Sequence, residues 1–387
     1  MKHFLFALLF LSAVTPATAQ DSPISTPAKY ALIMDYATGA ILYEKDADTP
    51  TGPASMSKLM TVAIVFDRLK SGQLKLTDEF FVSEKAWRER EGSSMWVRVN
   101  TKIPVIDLLR GIIVQSGNDA CIVVAENIAG SEEAFAELMT RKAREWGMNN
   151  STFANASGLP DPRHQMSMRD LAILARKIIH DYPEYYALFG EREFTWEKIR
   201  QPNRNPLFDL VEGADGLKTG HTEQSGFGIV GSAVRDGVRR ILVVNGLSSD
   251  RERATESARL LRLAFSDFTT KALFKPGDIV GDALVFKGAV ESVPLIAKEP
   301  VSMIVHRANA DAVKATLVYE GPVAAPIAAE QQIGYLKVTT AGGASREYPL
   351  YAGRAVKETG VLGKILLGAK ALLARPEEPA ETTAAAQ

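Results

Sequence analysis

The sequence predicts a mixed α/β (α+β) domain over residues 20–268, a small all-β sandwich domain over residues 269–356 and an amphipathic helix over residues 357–375. Three observations lead there. Strand-like and helix-like hydrophobic patterns alternate as far as Phe265. Beyond Thr269 helical periodicity vanishes, and short β-branched runs separated by Gly and Pro replace it. Near the C-terminus, Val361, Leu362, Ile365, Leu366, Ala369, Leu372 and Leu373 fall on one helical face.

Residues 1–19 read as a secretory signal peptide. Lys2 and His3 precede an apolar run over residues 4–14, and Ala17-Thr18-Ala19 is a small-residue cleavage signature. The run is shorter than the ~20 apolar residues of a membrane span. The mature chain is expected to start near Gln20, outside the cytoplasm. Residues 30–34 and 40–43 are short strands around a turn-rich segment. A helix follows over residues 55–69 and stops at Gly72. Residues 106–114 and 119–129 read as two helices broken at Ser116-Gly117-Asn118. Ser167, with Asp170 three residues on, opens a helix that runs through Ile179. Residues 227–234 and 238–244 flank Asp236-Gly237, a hairpin signal, and residues 250–265 return to helical spacing.

In the all-β part, residues 278–286, 301–305, 315–319 and 333–338 read as strands. The terminal helix keeps Lys357, Lys364, Lys370 and Arg375 off its apolar face, a pattern suited to an anionic membrane surface. Pro376 stops it, and the Glu/Ala/Thr-rich residues 376–387 are expected to be disordered.

Composition excludes several classes. Lys+Arg 45 against Asp+Glu 46 leaves none of the basic excess of a nucleic-acid binder. Cys121 stands alone, so an internal disulfide framework and a Cys-cluster zinc site are out. The five histidines form no close pair, and neither a metal nor a cofactor is expected. No G-x-S-x-G elbow is present. Gly226-Phe227-Gly228-Ile229-Val230-Gly231 matches G-x-G-x-x-G but lies inside a strand pattern with no helix after it. Close packing of small residues accounts for it better than a dinucleotide.

The chemistry lies in Ser55-Met56-Ser57-Lys58, Ser116-Gly117-Asn118 and Lys218-Thr219-Gly220. Each pattern is bland alone; together and in this order they form the set associated with penicillin-binding proteins and class A β-lactamases. Ser55 falls at a helix start, where free N–H groups favour developing negative charge. Lys58 lies three residues on, on the same helical face and within reach of the hydroxyl. A serine hydroxyl needs an adjacent base. Lysine serves as one only where burial and neighbouring cations favour its neutral form, and Lys218 is such a cation. Ser116 is placed to relay a proton to a leaving amine, and Asn118 to bond both Lys58 and a substrate amide. The N–H groups of Ser55 and His221 would make an oxyanion hole. The reaction class is acyl transfer through a serine ester.

These motifs, with the runs Pro53-Ala54-Ser55-Met56-Ser57-Lys58-Leu59-Met60-Thr61, Gln115-Ser116-Gly117-Asn118-Asp119-Ala120 and Asp215-Gly216-Leu217-Lys218-Thr219-Gly220-His221-Thr222, make the chain resemble the low-molecular-mass penicillin-binding proteins. These are the serine-type D-alanyl-D-alanine carboxypeptidases of the five/six group. The resemblance covers nearly the whole chain. It implies a penicillin-binding-protein/β-lactamase-like domain with helices on a five-stranded antiparallel sheet. It implies a peptidoglycan pentapeptide as substrate, β-lactams as inhibitors, and a peripheral place on the periplasmic face of the inner membrane. It also implies that Arg253 helps Thr219 hold the substrate's terminal carboxylate; the alternative for Arg253 is a solvated helix charge.

Two readings compete with it. A class A β-lactamase would carry Asp in place of Gly117 and a Glu that activates the deacylating water, for which no counterpart is evident. Residues 155–159 instead read as the family's G-L segment, with Ser157 where some relatives have His. A non-catalytic cell-wall scaffold would have no need to keep Ser55, Lys58 and Lys218 together.

Overall fold

The computed structural model describes residues 24–360, apart from residues 90 and 342. The signal peptide and the apolar stripe of the terminal helix lie outside the described residues.

Five strands form one antiparallel sheet: β1 (Tyr30–Asp35), β2 (Ile41–Lys45), β3 (Ala214–Thr222), β4 (Gly226–Arg235) and β5 (Val238–Leu247), in the order β2-β1-β5-β4-β3. This is the sheet that the resemblance implied. Asp236 and Gly237 turn β4 into β5 with φ of 50° and 75°, as a tight hairpin with both central residues left-handed requires. Successive side chains on a strand face opposite ways. Leu32, Met34, Val230 and Val243 therefore pack into one core with helices α1 (Lys58–Lys70), α2 (Val105–Ile113), α3 (Asn118–Ala129), α4 (Glu132–Glu145) and α5 (Met168–Asp181). Ala31, Ile33, Ile229 and Val244 face a second core closed by α6 (Asp250–Ser266). Burial on both faces explains why β1 reads as a continuous apolar run instead of alternating.

Helix α1 runs through the middle of the first core, with every residue from Lys58 to Phe66 buried. Ser167 caps α5 as expected, its Oγ accepting the Asp170 N–H at 3.1 Å. The Asp170 carboxylate does not complete a reciprocal box; it takes the Asn150 N–H and the Ser151 hydroxyl. Helix α4 is not announced by the sequence pattern, because only Phe135, Ala136, Met139 and Ala143 of it are buried. Gly228 and Gly231 lie in β4, and a Cβ at Gly231 would stand 2.4 Å from Leu207 Cδ1. The G-x-G-x-x-G match is a packing feature.

The second unit is all β: β6 (Phe268–Phe274), β7 (Ile279–Phe286), β8 (Ser292–Ala297), β9 (Val301–His306), β10 (Lys314–Tyr319), β11 (Val323–Ala324), β12 (Gln332–Thr339) and β13 (Ser345–Ala352). Six of them make the sheet β10-β12-β13-β8-β7-β11, and β6 pairs with β9 in a ribbon. Val301 and Met303 of the ribbon share a core with Leu295, Leu336 and Leu350 of the sheet. Lys357 to Gly360, expected to open a helix, are extended. The Ala289 N–H donates to the Lys357 carbonyl and the Thr359 N–H to the Lys287 carbonyl.

Asp35 and Arg240 form a buried ion pair where β1 meets β5. Asp35 also takes the Thr38 N–H and hydroxyl, and Arg240 Nε donates to the Ala264 carbonyl of α6. Arg240→Met strands a buried carboxylate, so it should lower unfolding free energy by about 3–5 kcal/mol in urea titration. The double variant Asp35→Leu/Arg240→Met should recover most of that loss.

Candidate active site

The three motifs, distant in sequence, meet at the β3 edge of the sheet. Ser55 lies in a 3-10 turn (Ala54–Ser57) that leads directly into α1. Lys58 Nζ stands 2.8 Å from Ser55 Oγ and donates at 2.6 Å to the Ser157 carbonyl. The lysine is 1% exposed. Burial pushes its amino group down to about 8, Arg204 adding to the effect while Cys121 and Asp119 oppose it. Lys218 is buried beside it, donating to the Thr219 carbonyl at 3.2 Å. Burial, then repulsion from Lys58, Arg204 and Arg253, holds its amino group well below the ordinary lysine range. Two amines that share one dry site cannot both be comfortably charged.

The segment from Asn155 to Gly158 is clamped against this pair. Thr61 Oγ1 donates to the Ala156 carbonyl at 2.6 Å, and Asn155 Oδ1 accepts the Gly158 N–H at 2.7 Å. Gly158 has φ +85°, and a Cβ there would stand 1.9 Å from the Ala54 carbonyl oxygen, so no other residue fits. Ser157 contributes its carbonyl to Lys58, a role that the side chain at this position does not alter.

Ser116 is buried at φ 62°, its Oγ without a hydrogen-bond partner. Asn118 opens α3 but does not bond Lys58 as expected: its Nδ2 donates to the Glu91 carbonyl at 2.7 Å and its Oδ1 is unpartnered. The amide is taken instead by the loop ahead of α2, which carries Glu91. A Cβ at Gly117 would meet Asp119 Oδ1 at 2.8 Å and the Met95 backbone nitrogen at 3.0 Å, which leaves no room for an aspartate there. Asp119 itself gathers the N–H groups of Met95, Trp96 and Val97 and the Ser94 hydroxyl, fixing that loop at the rim.

On β3, a Cβ at Gly220 would come within 2.8 Å of the Pro53 carbonyl, so the glycine lets the strand run against the Ser55 turn. Thr219 is buried, while the His221 ring is exposed and stacks on Phe227 at 3.8 Å between centroids. Arg253 is only 6% exposed, so the solvated-charge alternative fails. Its guanidinium is bonded to Asp250, stands 5.8 Å from the Phe227 ring, and leaves Nε unpartnered.

Ser55, Ser116, Asn118, Thr219, Gly220, His221 and Arg253 line one cavity of about 530 Å³, with the two lysines behind its wall. The sequence reading missed three contributors. Arg204 also lines the cavity and donates to Ser93 Oγ at 2.6 Å, but its loop has no periodicity to mark it. Asp119 was marked only by following Ser116-Gly117-Asn118. His164 lies under the turn, its Nε2 2.6 Å from Ser57 Oγ. Its Nδ1 accepts the Ala154 N–H, so the proton sits on Nε2 and is donated to Ser57.

Helices packed on both faces of a five-stranded antiparallel sheet, with a serine–lysine pair at its edge, define a serine peptidase of the penicillin-binding-protein fold. Residues 16–249 match the peptidase S11 family, D-alanyl-D-alanine carboxypeptidase, and residues 268–358 match the penicillin-binding protein 5 C-terminal domain. The chain belongs to the D-alanyl-D-alanine carboxypeptidase family. It is 38% identical over 369 residues to D-alanyl-D-alanine carboxypeptidase DacC of Escherichia coli (strain K12), covering 93% of this chain and 92% of that one. Among solved structures, DacD from Francisella tularensis superposes with a TM-score of 0.78 at 30% identity, over 88% of this chain and 96% of that one. Penicillin-binding protein 5 from Haemophilus influenzae gives 0.73 at 36%, over 87% and 99%. Penicillin-Binding Protein D2 from Listeria monocytogenes, solved in its ampicillin-bound form, gives 0.58 at 27%, over 63% and 100%. The chain is thus an enzyme, a serine-peptidase hydrolase, and the scaffold reading falls away.

Burial pushes the His164 imidazole down to about 4. With the folded value below the unfolded one of ~6.5, the stabilisation is fully present above pH 6.5 and is lost as pH falls through about 4. The loss approaches about 3 kcal/mol. Urea unfolding at pH 5 should take up about one proton more in the wild type than in His164→Gln.

Proposed function

We propose that the chain removes the terminal D-alanine from peptidoglycan pentapeptide stems through an ester on Ser55. The observation that carries this is the 2.8 Å contact between Ser55 Oγ and a buried lysine amine whose proton affinity is lowered to about 8. Neutral Lys58 takes the Ser55 proton as Oγ attacks the penultimate D-alanine carbonyl. The Ser55 and His221 N–H groups receive the oxyanion on the cavity side of the turn. As the C–N bond breaks, Ser116 passes the proton from Lys58 to the leaving amine, and its unpartnered Oγ is free for that exchange. Lys218 discourages Lys58 from staying protonated. Thr219 and Arg253, joined by Arg204, hold the terminal carboxylate, and Asn118 Oδ1 accepts a substrate amide. Water then attacks the ester with Lys58 again as base, releasing the shortened peptide. A β-lactam enters the same first half-reaction, acylating Ser55 by opening its ring.

The enzyme works outside the cytoplasm. No helix among the described residues is long and apolar enough to cross a membrane. Residues 361–375 pair an apolar stripe with Lys364, Lys370 and Arg375, and as a helix of 15 residues they would reach only about 22 Å, short of a ~30 Å core. Such a helix would suit the interface, cations toward anionic headgroups, and so hold the enzyme on the periplasmic face of the inner membrane.

Ser55→Ala should abolish both labelling by a fluorescent penicillin and release of D-alanine, and mass spectrometry should place the adduct on Ser55. An arginine cannot give up its proton, so Lys58→Arg should slow acylation by at least ~100-fold. Because the neutral lysine is the base, wild-type acylation should rise with pH along a limb centred near 8. A chain ending at Gly360 should remain active and stay in the supernatant, while the longer chain should pellet with anionic vesicles at low salt.

A further inference from the structure

At the end of the β domain from which residue 361 departs, three segments are tied together. The Thr359 N–H donates to the Lys287 carbonyl, the Ala325 N–H donates to the Phe286 carbonyl, and Ile327 and Val356 exchange N–H and carbonyl bonds. The chain therefore leaves beside the turn that joins β7 to β8, residues 287–291. This corner is apolar where solvent ordinarily meets polar groups. Along β7, Ala283 and Val285 pack into the core, so Leu284 and Phe286 point outward, 61% and 45% exposed. Val290 in the turn is 37% exposed. Residues 321–329 contain no charged side chain, and within them Ala324 pairs with Phe286 while Pro326 and Ala329 are exposed. Lys287 Nζ stands 5.0 Å from the Phe286 ring centroid. An apolar cluster with a lysine at its border matches a lipid interface, where acyl chains meet headgroups. Lys287, Arg354 and Lys357 are exposed beside Glu291, Glu320 and Glu358, so the corner offers a partner apolar area and not net charge.

We propose that this corner is a second lipid-binding site, with Leu284, Phe286 and Val290 entering the acyl–headgroup boundary beside residues 361–375. The inference rests on the interfacial placement proposed for that segment. With the segment in the interface, Gly360 is at the bilayer surface and the corner bonded to Thr359 is held against it. Entry of the corner is then intramolecular and needs far less apolar area than binding from solution. Three side chains alone are too few to hold the chain on a vesicle. A lipid boundary asks for apolar area without directional hydrogen bonds, which is what a charge-free loop and these side chains provide. Two contacts, unlike a single tether, fix which way the β domain faces the bilayer.

Fluorescence from Phe286→Trp tests the entry directly. The four native tryptophans, Trp87, Trp96, Trp146 and Trp196, all lie in the catalytic domain and supply the background. Phosphatidylglycerol/phosphatidylcholine vesicles with brominated acyl chains should quench the signal added by Phe286→Trp in the full chain. Ala344→Trp, in the turn at the other end of the eight-residue strand β13 and ~26 Å away along it, should not respond. Leu284→Ser/Phe286→Ser should weaken partition into the same vesicles roughly tenfold. That factor should persist in high salt, which screens the attraction of Lys364, Lys370 and Arg375 to the headgroups. Unchanged release of D-alanine from a soluble peptide shows that the variants are folded. A full chain that pellets with vesicles without quenching at position 286, or with equal quenching at both positions, overturns the second site alone. Dimerisation abolished by Leu284→Ser/Phe286→Ser, again without quenching, overturns it in favour of a second copy of the chain. A full chain that does not bind vesicles sinks the interfacial placement and the second site together.

Discussion

The burial of the Lys58 amine beside the Ser55 hydroxyl is the constraint on which the rest of the site depends. An ammonium in that position has lost its water and gains in return one hydroxyl and one backbone carbonyl. Such an environment favours the neutral amine, which is the state a base must start from. Each nearby feature protects that geometry. Thr61 and Asn155 fix the segment that carries the Ser157 carbonyl, and Gly158 lets that segment touch the Ala54 carbonyl. His164, neutral and bonded to Ser57, ties the far end of the same segment to the turn.

The sheet supplies the other half of the arrangement. With both faces covered, β1, β4 and β5 are paired on both edges and packed on both sides, and β3 at the edge is left with one side unpaired. One face of β3 runs past the Ser55 turn closely enough that Gly220 tolerates no side chain. The edge thereby presents backbone groups beside the cavity, where Arg204 and Arg253 bring positive charge and Thr219 a hydroxyl. Asp119 performs the matching task on the opposite rim by gathering three backbone N–H groups of one loop.

The absence of an acidic side chain between Ser116 and Asn118 has a steric origin. The middle residue of Ser116-Gly117-Asn118 is pressed against Asp119 and Met95, so the aspartate of a class A β-lactamase has no space. Of the two guanidinium groups in the cavity, Arg253 is bonded to Asp250 and Arg204 donates to the neutral Ser93 hydroxyl. An excess of cations suits a substrate that brings its own carboxylate.

Local sequence determined the elements whose signals are short-range. The Asp236-Gly237 hairpin, the Ser167 cap, the apolar runs of α1 and β1 and the change of texture beyond Thr269 depend on neighbouring residues, so they could be read in order along the chain. The serine–lysine contact was legible for the same reason: three residues on a helical turn bring the two side chains together whatever the rest of the chain does. Only tertiary structure decided what lies between distant segments. Asn118 turned to the Glu91 carbonyl and not to Lys58, Arg204 entered the cavity from a loop without pattern, and the Ser157 carbonyl became the second partner of Lys58. Helix α4 and the burial of Arg253 were likewise settled by packing. Hydrophobic periodicity encodes which face of an element turns inward, but not which polar group waits there, because that partner is chosen by proximity in three dimensions.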